Sequence, residues 1–326
     1  MHSVRARREL AILVFLGLML LPSCLVRKRV VKAPGTNKRE TRPLLTATKE
    51  ELIQRIHAVS DPIVSFTMKA DMSPSIGSLY GGQVTDYATI TGYVLFLRPN
   101  DIRVIGQDPV IHSTAFDMVS TGNDFRVSIP LKNQFFVGQN DAPANSKNKL
   151  ENLRPVAFLN ALLIRPPDPG TFTVFEDDTN ETRALYILMI LQNEGGQLTL
   201  LRNVYFDRYT LQITRQKTFD SKGYIVSDTR YGDWKPYSGI LFPSDIDIQR
   251  PQDGYEVELR VLDMKVNAGE VTAAKFILNQ PPGAHVKELS STSTPKPGQP
   301  VPAPAASAPA GPHIPLAAAC CQDTRR

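Results

Sequence analysis

The spacing of apolar residues changes along the chain from a helical period to a strand period. Residues 52–59 repeat apolar positions at helical spacing, behind a capping box formed by Thr48 and Glu51, until Asp61-Pro62 ends the pattern. Beyond residue 87, apolar and polar residues alternate instead, which is the period of a half-buried strand. We therefore predict one leading helix followed by a body made mostly of strands.

The predicted strands are short and are separated by turn residues. The alternation is clearest after Tyr255, where apolar residues are separated by Glu256, Glu258 and Arg260. Thr121-Gly122-Asn123-Asp124 predicts a tight hairpin turn. The pattern predicts strands over residues 63–72, 87–97, 102–107, 114–120, 125–129, 171–175, 185–191, 198–206, 210–214, 223–231, 240–248, 255–261 and 271–278.

Three other segments differ from this pattern. Residues 73–82 are rich in Ser, Gly and Pro and predict a loop. Pro155 occupies a favoured first helical position, and the apolar residues after it recur at helical spacing until Pro166-Pro167, so we predict a second helix there. The acidic run Glu176-Asp177-Asp178 favours a solvated turn over a cation site or a catalytic carboxylate pair.

Both ends of the chain differ in composition from the body. Basic residues precede an apolar run of 12 residues from Leu10 to Leu21, which spans roughly 18 Å against a hydrocarbon core of about 30 Å. Residues 1–23 therefore indicate a removable export signal. Residues 24–43 form a basic tether, residues 44–280 the folded domain, and residues 281–326 a tail rich in Pro and Ala that cannot build a core.

Charge and cysteine content narrow the functional classes. The net charge of +5 is modest and belongs partly to the leader, so nucleic acid is not an expected partner. The body has no cysteine, so its stability must come from a buried core and not from disulfides. Cys320 and Cys321 lie at the end of the tail, and the sequence assigns them no role. No HExxH pattern, no nucleophile–base set and no Gly-rich phosphate loop is present, so we expect no cofactor, no metal site and no enzymatic activity.

The segment Leu21-Pro22-Ser23-Cys24 resembles the bacterial lipobox, although Pro22 departs from the usual second residue. The resemblance implies that Cys24 becomes the first mature residue and carries acyl chains, which anchor the protein on a membrane. Because Leu25 and not an aspartate follows the cysteine, the resemblance also implies outer-membrane sorting, with the domain in the periplasm.

The order of signal, acylated cysteine, helix, strands, helix and strands is similar to the LolA/LolB-like lipoprotein-localisation superfamily. The most suggestive unit is the strand, short loop and strand of residues 102–119. The resemblance implies a mainly β (α+β) fold, in which two or three helices cover a strongly curved antiparallel sheet or incomplete barrel. It also implies an apolar cavity that takes the acyl part of a lipid or lipoprotein.

Two groups of residues follow as candidates for such a site. Val110 and Ile111 match the position of an exposed apolar loop that inserts into the acceptor membrane in LolB-like proteins. Strand parity selects the candidates for the cavity lining: Phe66, Ile90, Val94, Phe96, Phe116, Met118, Phe125 and Val127. For any single one of these positions, a packed core residue is favoured over a lining residue.

Three functions remain open from the sequence. The first is an envelope lipoprotein that binds lipid or lipoprotein acyl chains as a carrier or acceptor. The second is a structural or assembly lipoprotein whose sheet is filled by its own side chains and whose partner is an envelope protein. The third, a hydrolase that uses Asp177 and Asp178, has no substrate that the sequence suggests.

Overall fold

The computed structural model describes residues 43–78, 83–141 and 152–289, which belong to one compact unit. Its helices are α1 (Lys49–Ser60) and α2 (Pro155–Leu162), and short 3-10 turns occupy Pro130–Lys132 and Ala273–Phe276. The strands are β1 (Ser65–Ser78), β2 (Gln83–Asp86), β3 (Ile90–Leu97), β4 (Asp101–Gln107), β5 (Thr114–Thr121), β6 (Asp124–Ile129), β7 (Gln134–Gln139), β8 (Phe172–Thr179), β9 (Ala184–Glu194), β10 (Gln197–Asp207), β11 (Ile213–Phe219), β12 (Ile225–Tyr237), β13 (Ile240–Arg250), β14 (Tyr255–Val266) and β15 (His285–Leu289). The predicted leader, Cys24, most of the tether and most of the tail lie outside the described residues.

The strands form one open sheet in the order β15-β7-β6-β5-β4-β3-β1-β14-β13-β12-β11-β10-β9-β8, with β2 paired to β1 beside this path. Hairpins join most neighbours, so strand order follows chain order from β3 to β7 and again from β8 to β14. The long strand β1 pairs with both β3 and β14 and so joins the two halves. Among the described strands only β15 and β7 pair in parallel. The predicted mainly β class, an open curved antiparallel sheet with two helices, is confirmed.

The two helices begin where the sequence predicts. At α1 the Thr48 hydroxyl accepts a hydrogen bond from the Glu51 N–H at 3.2 Å, and the Glu51 carboxylate accepts one from the Thr48 N–H at 2.8 Å. Pro155 opens α2, which is buried on nearly all sides. The Tyr231 hydroxyl donates to the Ala161 carbonyl at 2.7 Å and fixes α2 to β12. The helix therefore bridges strands from both halves of the sheet, β4 and β5 on one side and β12 on the other.

The main core lies between the helices and one face of the sheet, which we call the inner face. Alternating residues of β3 and β14 turn towards it, as the period of two predicts, and Val94, Phe96, Leu259 and Val261 are buried there. Leu52 of α1 joins the same core. A smaller cluster on the opposite, outer face contains Val119, Phe135, Phe276 and Leu278.

Two segments fold as strands where the sequence predicted a loop or a turn. Within residues 73–82, β1 continues to Ser78 because β14 and β2 supply hydrogen-bonding partners on either side. The acidic run that begins at Glu176 lies in β8 and pairs with β9, so it is not a turn. Both differences have one cause: hydrogen bonding to neighbouring strands in the sheet outweighs the low strand propensity of Ser, Pro and Asp.

The predicted strand over residues 271–278 is wrong. Asn267 makes the turn after β14 with a φ of 56°, and its side-chain oxygen accepts hydrogen bonds from the Val64 and Ser65 N–H groups. The chain then crosses the outer face, where Arg103 donates to the Lys275 carbonyl at 2.7 Å and Arg126 to the Leu278 carbonyl at 3.0 Å. A parallel pair needs such a crossing connection, which delivers β15 beside β7. This last strand lies beyond residue 280, where the sequence predicted the domain to end.

Neither described helix, in residues 43–78, 83–141 and 152–289, has the length and apolar run that a membrane crossing requires.

Candidate functional site

An apolar cavity of about 670 Å³ opens on the inner face of the sheet, beside α2. Its size falls within the roughly 300–1,000 Å³ that is typical of small-molecule sites. Strands from the first half of the sheet and the β1–β14 pair form its walls, and the start of α2 covers it. The lining residues are Met72, Pro74, Ser75, Ile76, Tyr87, Ala88, Ile90, Ala115, Phe116, Met118, Ile129, Leu131, Lys132, Leu153, Phe158, Tyr255, Glu256 and Val257.

The cavity exists because α2 covers only part of the inner face. Phe158 points from the first turns of the helix onto the cavity, and Leu153 contributes to the lining just before the helix begins. Across from them lie Met72 on β1 and Val257 on β14, which both face inward. Met72 pairs with Leu259, two residues after Val257. The strand walls are therefore built from the same alternating positions that form the core elsewhere, but here only the first turns of α2 lie over them.

The opening of the cavity is marked by exposed residues. Leu131 in the 3-10 turn after β6 is 79% exposed although it also lines the cavity, and Tyr87 before β3 is 53% exposed. Lys132 and Glu256 provide the charges among the lining residues. An aliphatic and an aromatic side chain, Leu131 and Tyr87, therefore border the opening, and Lys132 follows Leu131 there.

Buried charges pack behind one wall of the cavity. The Arg250 guanidinium lies 2.7 Å from the Asp253 carboxylate, and burial raises the pKa of Tyr255 to about 12. The Arg154 guanidinium lies 4.7 Å from the centre of the Phe125 ring, and burial lowers its pKa. None of the three charged residues lines the cavity. They fix the start of α2 near the first residue of β14 and do not themselves contribute to the cavity surface.

The predicted lining residues divide into two groups. Ile90, Phe116 and Met118 line the cavity. The other five lie in the packed core and do not reach it: Phe66, Val94, Phe96, Phe125 and Val127. Strand parity places all eight on the inner face, but it does not show how far along each strand the helices cover that face.

Several lining residues were not predicted. Met72 and Val257 hold inner-facing strand positions, so their parity carried the signal. Phe158 belongs to the helical pattern that begins at Pro155. Leu131 lies in a short 3-10 turn with no periodic pattern, and no sequence signal indicated its place at the opening.

Val110 and Ile111 lie in the turn between β4 and β5, with side chains 82% and 73% exposed. The Asp108 carboxylate accepts hydrogen bonds from both of their N–H groups, at 2.8 and 2.9 Å, and these bonds lower the pKa of Asp108. The turn therefore has a defined shape that presents two aliphatic side chains to solvent. Phe116, a short distance along β5, lines the cavity, so the turn lies at the end of the sheet that carries the cavity.

The acidic run on β8 is held by arginines. Asp177 pairs with Arg208 at 3.2 Å, and Asp178 pairs with Arg183 at 2.8 Å. Within residues 43–78, 83–141 and 152–289, no group of three or more His, Cys, Asp and Glu side chains is placed to hold a metal ion. On β8, each of these two aspartates is therefore paired with an arginine.

Comparison with known proteins gives structural likeness only. No family model and no curated protein matches the sequence. Among solved structures, a LolA superfamily protein from Nitrosomonas europaea is 12% identical, with 72% of this chain and 99% of that chain covered and a TM-score of 0.47. A DUF1329 family protein from Desulfovibrio piger is 16% identical over 70% and 95% of the two chains, with a TM-score of 0.45. A protein described as an outer membrane lipoprotein-sorting domain, from Vibrio parahaemolyticus, is 12% identical over 69% and 94%, with a TM-score of 0.42.

The first and third of these neighbours carry names from the superfamily that the order of elements resembles. At these identities and TM-scores, the structural likeness does not show what this chain does.

Glu256 alternates along β14 with the inner-facing Tyr255 and Val257, and its carboxyl gives rise to a prediction about pH. Burial raises its pKa, and the nearby Asp247 adds to the effect. The Arg230 guanidinium pairs with the Asp247 carboxylate at 2.8 Å. A carboxyl whose pKa is higher in the folded state than in the unfolded state, where it is about 4.3, favours folding when it is protonated. Its contribution to the free energy of unfolding is complete below the unfolded pKa and is lost as the pH rises through the folded pKa.

We therefore expect Glu256→Gln to unfold at higher urea concentration than the wild type at neutral pH. The difference should shrink towards zero below about pH 4, where Glu256 is protonated in both states. Urea unfolding across this pH range measures it, and Glu194→Gln on the exposed β9 end is the matched control. A variant less stable than the wild type at neutral pH would contradict the electrostatic account.

Proposed function

We propose that this protein binds the acyl chain of a lipid or lipoprotein in the inner-face cavity, as a membrane-anchored carrier or acceptor in the bacterial envelope. The observation that carries the proposal is an open cavity of about 670 Å³ whose lining is mostly aliphatic and aromatic. An apolar cavity left uncovered in water favours an apolar occupant.

The energetics of acyl transfer require such a surface. Exposing an acyl chain of about fifteen methylenes to water costs roughly 12 kcal/mol, at about 0.8 kcal/mol for each methylene. A protein that moves or receives the chain must therefore bury most of it. Met72, Phe116, Met118 and Phe158 supply apolar surface on opposite walls, and the two methionines can adapt to a flexible ligand.

Two features support action at a membrane. The lipobox resemblance implies acylation at Cys24, which would hold the mature protein on the periplasmic face of the outer membrane. The exposed Val110 and Ile111 lie at the cavity end of the sheet, where they would insert into the surface from which a ligand comes. A ligand could then pass between bilayer and cavity with little exposure to water.

A second candidate function has its own observation. The edge strand β8 pairs with β9 on one side only, and its Phe172 and Val174 side chains are 51% and 49% exposed. Exposed apolar residues on a strand edge are typical of strand addition by a protein partner. A structural or assembly lipoprotein would use this edge and need no lipid ligand. Purification from envelope with a stoichiometric protein partner and no lipid would favour it.

The cavity proposal is tested by filling the cavity. In the mature chain without its leader and Cys24, Leu153→Trp places a larger ring among the lining residues. Affinity for a fluorescent fatty-acyl probe should fall at least about tenfold, because the ring occupies the space of several methylenes. Leu262→Trp, on the exposed outer side of β14, is the matched control and should bind like the wild type. A wild-type chain that binds no acyl probe would contradict the proposed function.

The membrane-contact proposal is tested separately at the β4–β5 turn. The double substitution Val110→Glu and Ile111→Glu should lower binding of the same chain to phospholipid vesicles at least about tenfold, because two side chains each lose roughly 1.5–3 kcal/mol of burial. Probe binding in solution should stay unchanged, since neither residue lines the cavity. Leu198→Glu, at an exposed hairpin of the second half of the sheet, is the control. Equal vesicle binding by all three proteins would argue against insertion of this turn.

A further inference from the structure

Two glycines lie side by side in the sheet beneath the cavity. Gly92 of β3 pairs directly with Gly106 of β4. Both occupy inner-facing positions, since each lies two residues from a valine on the same strand that is fully buried on that face: Val94 in β3 and Val104 in β4. Ala70 of β1 pairs with Gly92 and continues the row. The inner face thus carries a row of small residues across three adjacent strands.

The backbone does not explain these glycines. Neither Gly92 nor Gly106 has a positive φ, so any residue could adopt their conformation. A glycine inside a strand costs about 0.5–1 kcal/mol relative to alanine. In such a position glycine commonly marks the close approach of another group. The side chains that pack over Gly92 and Gly106 should therefore explain why these positions are glycine.

The approaching groups are lining residues of the cavity. A Cβ atom on Gly92 would lie 2.3 Å from the Met72 Cε atom. A Cβ atom on Gly106 would lie 2.5 Å from the Phe116 ring and 2.7 Å from the Ile90 Cδ1 atom. All three side chains line the cavity. They rest on the sheet in the space where these two positions lack side chains.

We propose that the Gly92–Gly106 pair sets the depth of the cavity and thereby the length of the acyl chain that it accepts. The inference rests on the proposed function, because it concerns the ligand of the same cavity. A methyl group at either position lifts Phe116, Ile90 or Met72 off the sheet and into the space of the ligand. A cavity of fixed depth selects straight acyl chains by length, because the number of methylenes that it buries depends on that depth.

The test compares chain lengths rather than a single ligand. Displacement of a fluorescent probe by saturated fatty acids of about eight to eighteen carbons gives the length profile of the mature wild-type chain and of Gly106→Ala. The alanine variant should bind the longest well-bound acid about tenfold more weakly, which corresponds to the loss of two buried methylenes. Acids two carbons shorter should bind within about twofold of the wild type.

A matched control is available on the outer face. Gly232 in β12 also lacks a positive φ, and a Cβ atom there would meet no atom closer than 3.7 Å. Gly232→Ala should therefore keep the wild-type length profile. Phe116→Leu provides the opposite change, because a smaller side chain on the wall deepens the cavity, and it should extend the profile to longer acids. Combined with Gly106→Ala, it should restore binding of the acid that the single alanine variant binds weakly.

Different results would overturn acyl binding itself and the control of chain length by the two glycines. A wild-type chain that binds none of the acids overturns the proposed function and the inference with it. A wild-type chain that binds acids, with the same length profile in Gly106→Ala and Phe116→Leu, overturns the inference alone. If Gly106→Ala does not fold, which urea unfolding would show, the profile of Phe116→Leu decides: a shift to longer acids supports the inference, and an unchanged profile overturns it.

Discussion

The structure depends on the mismatch between a wide apolar sheet face and the little helical surface that covers it. The sheet presents its inner face across most of its strands, and two helices of 12 and eight residues pack on it. At 1.5 Å per residue, α2 spans only about 12 Å. Where its cover ends, between Phe158 and Met72, the same alternating positions that pack the core elsewhere line a cavity. In the proposed function, the hydrophobic effect that stabilises the fold also drives binding of an apolar ligand.

The polar groups near the cavity are consistent with this arrangement. Arg154 and Asp253 are buried behind its wall and Arg250 is half-buried there, and together they hold the start of α2 and the beginning of β14 in place. The opening carries Leu131 and Lys132 instead, an aliphatic side chain beside a cation. In the proposed function, Leu131 would contact the acyl chain and Lys132 the headgroup. The sheet edge at β8 remains a separate surface, suited to protein contact.

Local sequence signals predicted most of the elements and few of the site residues. The capping box at Thr48, the turn at Gly122 and the alternation after Tyr255 are each encoded within a few residues, and the structure has all three. β15 and the extension of β1 to Ile76 depend on partners far along the chain, β7 and β14, so no local pattern indicated them. The cavity depends on which inner positions the helices leave uncovered. Parity therefore identified the face but could not separate Phe116, which lines the cavity, from Phe96, which packs the core.

The central claim is that the cavity is occupied by an acyl chain when the protein is in its own envelope. Native mass spectrometry of the protein extracted from that envelope, under conditions gentle enough to keep noncovalent ligands, tests it most directly. The account predicts a species heavier than the acylated chain by the mass of one lipid or lipoprotein, which Leu153→Trp should lack. A protein found only without ligand, in a chain whose Cys24 carries no acyl group, would contradict both the carrier role and the anchor.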